Sequence, residues 1–331
     1  METDAPQPAV PFRFPVEIGS LADFRDALDG AASRREVLNS ATSIDDSLLV
    51  PPPTYPISSE RFRQNSPLRP STTPQPTSST HDDGETLLPP LHASQEFNYR
   101  RYPRVGEDLT VRVKPGRSWT KPSKFGGHIA FRENIASYFD QQDELVLTST
   151  WTDAQTPIGH RVPVSIPAGS KIGSPSQSHP RDDRNANSSA HTELVLPQLT
   201  LAHLVRYAAA SGDFVAVHHD IDAAIAGGFP GVFAPGMFTL GQVGSLLERL
   251  YGRGQVATVS AEFRRPVYVG EALTITVQPI PEVTGVSPQP TRVSFTAEVA
   301  PQVYVLTGTA EISATRQDNP QATPSKISAI R

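Results

Sequence analysis

The sequence predicts an α+β fold in two similar halves, each an antiparallel sheet wrapped around a helix, with a cleft between them. Three observations point to it: a segment that recurs once along the chain, one apolar stretch of helix length, and two long polar stretches that separate the ordered parts.

The recurrence is the most informative. Residues 100–113 (RRYPRVGEDLTVRV) align without gaps on 264–277 (RRPVYVGEALTITV), with eight identities in fourteen positions. In each copy Val-Gly-Glu reads as a turn, because glycine takes positive φ freely, and the LTxxV that follows alternates as a half-buried strand does. The correspondence resumes where LTST at 147–150 matches LTGT at 306–309. Each half is therefore strand-rich in the same order.

The helix spans Gly236 to Tyr251, where Met237, Leu240, Val243, Leu247 and Leu250 recur at helical spacing. Further apolar residues fall between them, which marks a helix buried on most sides. Pro235 and Gly252 stand where a start and a stop belong. Leu199 to Ala210 and Ile221 to Ala226 read as shorter helices. Two stretches rich in Pro, Ser, Thr, Asn and Asp have almost nothing to bury. The organisation expected is an N-terminal unit over 10–165 with a disordered insert at 64–87, a flexible linker at 168–191, a C-terminal unit over 192–315 and a tail at 316–331.

Composition excludes several chemistries. The 331 residues contain no cysteine, so there is no disulfide framework, zinc-thiolate site or cysteine nucleophile. Net charge is −5 and no Lys/Arg block is long enough to engage a phosphate backbone, which argues against nucleic acid. No apolar run approaches the roughly 20 residues of a membrane helix, and the first residues resemble neither a secretory signal nor a transit peptide. No membrane partner is expected, and the expected location is cytoplasmic, with mitochondrial as the alternative.

The densest set of titratable groups in an ordered segment is Asp213, His218, His219, Asp220 and Asp222. Asp213 and His218 converge on one point if the chain between them turns, which suits proton transfer. The competing readings are a helix-capping Asp with a surface His, and a metal site. The latter is disfavoured because neighbouring His218 and His219 diverge in extended chain. Gly227 to Met237 is a glycine-rich approach to the buried helix, and its use would be to present helix-start N–H groups to a developing oxyanion. It is no phosphate loop, since neither GK[ST] nor GxGxxG is present.

Ser211-Gly212-Asp213, Val215-Ala216, His218 and Asp220, then Gly228-Phe229 and Pro235-Gly236-Met237, resemble the signature SGDxNPxHxD…GF…HGM of the MaoC-like, R-specific enoyl-CoA hydratases. The likeness covers about Leu199 to Ile312, and Leu91 to Phe97 (LHASQEF) resembles the non-catalytic half of two-unit members. It implies a double hot-dog fold and reversible hydration of 2-enoyl thioesters, or dehydration of (3R)-3-hydroxyacyl thioesters. It also implies Asp213 and His218 as the acid/base pair. Gly236 and Met237 would hold the thioester carbonyl, and Ser211, Val215, Phe233 and Pro235 would line the substrate cleft. No cofactor and no metal are implied; the acyl group would arrive on coenzyme A or an acyl carrier protein. A homodimer is compatible with the reading.

Two positions depart from the signature: Val215-Ala216 replaces Asn-Pro, and Pro235 replaces the His before Gly-Met. They put the substrate in question more than the reaction class. His92, whose counterpart in the repeat is Val256, is read as structural or cleft-lining. The alternatives are a specialised dehydratase or cyclase of secondary metabolism, a hot-dog thioesterase and a non-catalytic acyl-binding subunit.

Overall fold

The computed structural model describes residues 10–40, 46–69, 79–80, 86–87, 90–123, 127–156, 191–280 and 291–313. The linker expected at 168–191, apart from His191, and the tail at 316–331 fall outside the described residues.

The first half contains β1 (Phe12–Pro15), α1 (Ile18–Asp29), α2 (Ala31–Ser40), a two-residue pair β2 (Ser79–Thr80) and β3 (Thr86–Leu87), β4 (Leu91–Tyr99), β5 (Asp108–Pro122), β6 (His128–Phe139) and β7 (Leu145–Gln155). The second contains β8 (Thr192–Leu196), α3 (Leu201–Ser211), α4 (Ile221–Ala226), α5 (Gly236–Tyr251), β9 (Val256–Phe263), β10 (Leu273–Pro279), β11 (Thr291–Glu298) and β12 (Tyr304–Ile312). Among the described residues the strands form one ten-stranded sheet in the order β1-β5-β6-β7-β4-β9-β12-β11-β10-β8. All of its pairings are antiparallel. No described helix is long and apolar enough to cross a membrane.

The order reads the same from either edge once each strand is replaced by its counterpart, so the sequence repeat is a structural one. The halves meet where β4 pairs with β9, and Glu96 faces Ser260 there. These two residues are also equivalent in the repeat, which places a local two-fold relation at the seam.

The shared RRxxxVGE pattern has a physical cause. Gly106 and Gly270 adopt φ of 91° and 95°, as a side chain would disfavour. Arg101 donates to Glu107 at 2.9 Å and Arg265 to Glu271 at 2.8 Å. The same glutamates accept from the backbone N–H of Arg104 and of Tyr268. Each clip closes the turn that leads into the next strand, β5 or β10.

Helix α5 has the predicted bounds and is buried from Met237 to Glu248. Among the described residues of the first half there is no helix of that length: α1 stops after 12 residues at Gly30 (φ 91°) and α2 follows. Leu21, Phe24 and Leu28 form its buried stripe. Where α1 approaches α5, Gly241 leaves room for Leu28, whose side-chain end would have to shift to admit a methyl at 2.7 Å. Of the insert expected at 64–87, residues 64–69 are described: Ser66 is buried with its hydroxyl donating to Glu60 at 2.6 Å, and the Leu68 carbonyl accepts from Phe214 N–H of the second half at 2.7 Å.

Across the helix interface lies a buried ion pair. Arg25 of α1 and Glu248 of α5 are 2% and 6% exposed, joined by hydrogen bonds of 2.6 and 3.2 Å, and Arg25 also donates to the Val50 carbonyl. Burial is the largest influence on Glu248 and pushes its carboxyl above its ordinary range, against the opposing pull of Arg25. Removing one partner strands the other charge. Arg25→Met is therefore expected to cost about 3–5 kcal/mol of unfolding free energy in urea. Arg25→Met combined with Glu248→Leu should recover most of that loss; equal losses in both variants would contradict the pairing argument.

Candidate active site

Helix α3 ends at Gly212, in the left-handed conformation (φ 82°), and its N–H bonds the Ala208 carbonyl. This reversal turns Asp213 out of the helix. Ser211, expected in the cleft, lies beneath it: the residue is fully buried, its hydroxyl donates to the Tyr207 carbonyl at 2.7 Å and accepts from Asp213 N–H at 3.2 Å. Its hydrogen-bonding capacity is spent on holding the turn. Asp213 is 8% exposed, and its carboxylate accepts from Val215 N–H at 3.3 Å.

Residues 216–218 form one 3-10 turn, which brings His218 back toward Asp213. The imidazole Nδ1 lies 2.8 Å from the Phe233 carbonyl. A carbonyl only accepts, so Nδ1 carries the proton and Nε2 is left with its lone pair when the ring is neutral. The ring stands edge-on to Phe233, centroids 4.9 Å apart. Burial lowers its pKa, the opposing influences being the Asp213 charge and the Phe233 carbonyl. The other titratable groups separate from the site. His219 is exposed, and Asp220 caps α4 by accepting from Asp222 and Ala223 N–H.

Phe233 also leads into the helix start. Its neighbours are clipped to the β9–β10 turn, Ala234 N–H to the Val267 carbonyl at 2.8 Å and Val269 N–H to the Val232 carbonyl at 3.2 Å. Pro235 is the N-cap of α5, and Phe238 N–H bonds the Pro235 carbonyl. The N–H groups of Gly236 and Met237 precede the first intrahelical bonds. A methyl at Gly236 would come 2.9 Å from the Phe263 ring, so glycine is what lets the helix start approach β9. The Met237 side chain is in the core; only its backbone is available to a ligand. Val215 is half-buried, while Phe233 and Pro235 are buried.

The first half takes part in ways the sequence reading did not foresee. Arg61 packs against Gly212, the Leu68 carbonyl accepts from Phe214 N–H at 2.7 Å, and Leu91 packs on the cluster of Ala224, Phe229, Phe233 and Tyr268. These contacts brace both ends of the Asp213–His218 segment. Among the described residues no group of three His, Asp or Glu could hold a metal ion.

Residues 181–298 match the family model described as the MaoC like domain. The second half of the chain carries a MaoC-like domain. Likeness in structure extends over both halves. A MaoC-like dehydratase is 17% identical with a TM-score of 0.63, the match covering 92% of this chain and 96% of that one. The peroxisomal multifunctional enzyme type 2 of Drosophila melanogaster is 17% identical with a TM-score of 0.60, over 92% of this chain and 48% of that one. A conserved hypothetical protein of Mycobacterium tuberculosis, described as having a double hotdog fold, is 14% identical with a TM-score of 0.51, over 93% and 96%. None of the curated proteins matches the sequence. At these identities the structural likeness is one of fold, and the fold is the α+β double hot-dog.

Gly212 offers a check on the turn within this MaoC-like domain. Gly212→Ala should cost about 1–3 kcal/mol, because φ is left-handed and the added methyl meets Arg61. The denaturation midpoint measures it, and an unchanged midpoint would count against the turn described here.

Proposed function

We propose that the protein is a hydro-lyase acting on acyl thioesters. It adds water across the 2,3 double bond of a 2-enoyl thioester, or removes it from a (3R)-3-hydroxyacyl thioester, with the acyl group carried on coenzyme A or an acyl carrier protein. The observation that carries this reading is the fixed tautomer of His218. With Nδ1–H committed to the Phe233 carbonyl, Nε2 is the basic atom, and Phe233 itself stands three residues before the start of α5 at Gly236.

In hydration, water attacks carbon 3 as it loses a proton to the acid/base pair, and a proton is delivered to carbon 2. The atoms of water are conserved in the product. The negative charge that develops on the thioester oxygen would be met by the N–H groups of Gly236 and Met237 at the positive end of α5. Asp213 is the second member of the pair, and its charge opposes the lowering of the His218 pKa by burial. Dehydration runs the same groups in reverse.

Absorbance of a panel of 2-enoyl-CoA substrates, short to long, tests the reading. Wild type should remove the enoyl signal while leaving the thioester intact; release of free thiol would instead indicate hydrolysis. Asp213→Asn and His218→Ala should each lower turnover by about 10² to 10⁴-fold. A loss below tenfold in either would refute its assignment.

The pH profile has a defined sign. A base works unprotonated, and burial makes His218 harder to protonate than free imidazole, whose pKa is 6.5. The acid limb of kcat/KM should therefore fall below pH 6.5; a limb above that value would exclude His218 as the base.

A further inference from the structure

Strand β4 begins with an irregularity beside the helix start. Across β4 and β7, Gln95 pairs with Trp151 and Ser94 with Thr152, but the next partner of Asp153 is His92. Ala93 is thus an extra residue, a β-bulge. Without it, the alternation that turns Gln95, Phe97 and Tyr99 inward would turn His92 outward. The bulge re-aims His92 to the helix-facing side.

There its ring packs against Phe263, centroids 4.8 Å apart, and Phe263 is the ring that Gly236 closely approaches. Neighbouring Leu91 packs on the apolar cluster that contains Phe233, the residue that orients His218. His92 is thus linked through Phe263 to the helix start, and through its neighbour Leu91 to the cluster that orients His218. Its Nε2 is buried and has no hydrogen-bond partner, a state that costs free energy unless something else supplies the bond. Asp153, opposite in register, does not supply it; that carboxylate accepts from Asn134 at 3.4 Å. Burial pushes the His92 pKa down to about 4, the Ser94 backbone and Gln95 side chain opposing, so the ring is neutral at ordinary pH.

We infer that His92 is a substrate-binding residue contributed by the first half, its Nε2 hydrogen-bonding the thioester end of the acyl substrate beside Gly236. This rests on the proposed function for the substrate class, though not for the reaction. A bulge, a buried unpaired nitrogen and contact with the ring beneath the helix start are of no use to a residue that only fills space. For that purpose an apolar side chain serves better.

The test compares wild type, His92→Phe and His92→Gln in three measurements: thermal unfolding, calorimetric binding of a saturated acyl-CoA, and the KM and kcat for 2-enoyl-CoA. The Phe variant keeps the ring contact and removes the unpaired nitrogen, so its unfolding temperature should be unchanged or higher. Its affinity for the acyl-CoA should fall at least tenfold, with KM rising in parallel, while Gln should restore part of both. Equal binding by wild type and the Phe variant would overturn the inference. So would absence of binding to wild type, or equal losses of stability and affinity in both variants. The two proposals fail separately. Turnover that depends on Asp213 but not on His92 refutes only the role of His92, whereas His92-dependent binding without turnover refutes only the hydro-lyase reading.

Discussion

The pairing of β4 with β9 is the constraint on which the rest of the structure depends. Taken alone, each half would end at β4 or β9 with a row of unpaired backbone groups, and these edges would seek a partner. Pairing them with each other satisfies both and makes one sheet of two. It also puts Phe97 and Val259 opposite each other on the side that faces the helices, so α5 is buried by a core common to both halves. The Arg25–Glu248 pair then belongs to the place where α1 crosses that same helix. Two charges out of water are tolerated there because Glu248 accepts from both terminal nitrogens of Arg25 and the Val50 carbonyl adds a further bond.

Duplication preserved what holds the sheet and altered what surrounds the site. The arginine–glutamate clip survives in both copies with nearly equal distances, and the chain before each first helix is tied to its turn in the same way. Val16 N–H reaches the Glu107 carbonyl, and Leu199 N–H that of Glu271. After its first helix, α3, the second half has the Asp213–His218 turn; after its own, α1, the first half has α2. Its contribution to the cleft comes instead from Arg61, Leu68, Leu91 and His92. All of them approach the site from outside the segment that carries Asp213 and His218.

Much of this was legible in the sequence, and the remainder has identifiable causes. The bounds of α5 could be read because Pro235 and Gly252 act locally, and the repeat because each VGE turn is closed by side chains within a few residues. Helix α1 carried a readable stripe of Leu21, Phe24 and Leu28. Arg25 interrupts that stripe, and its partner Glu248 lies far along the chain, so nothing local in the sequence marks the charge as buried. The burial of Ser211 was not legible, because its side chain bonds local backbone groups at a helix end, a preference that residue type alone does not distinguish from a cleft position. The bulge at Ala93 left no mark in the alternation of LHASQEF, since it is defined by the register of β7, a strand some sixty residues away.

The two departures from the family signature find a physical account in the same contacts. An asparagine at 215 would brace the turn through its side chain, but here the bracing is done by main chain. Val215 N–H closes on the Asp213 carboxylate, and Phe214 N–H on the Leu68 carbonyl of the first half. The shape of the turn thus does not require a polar side chain at 215, and valine presents an apolar surface instead. At 235, proline fixes φ near −52° and gives up an N–H that the N-cap does not need, while its carbonyl still receives the Phe238 N–H. The donors at Gly236 and Met237 remain where a histidine at 235 would also leave them. What changes is the wall of the cleft beside them, which loses a polar ring at 235, so any hydrogen-bonding partner for that end of a ligand has to come from another element.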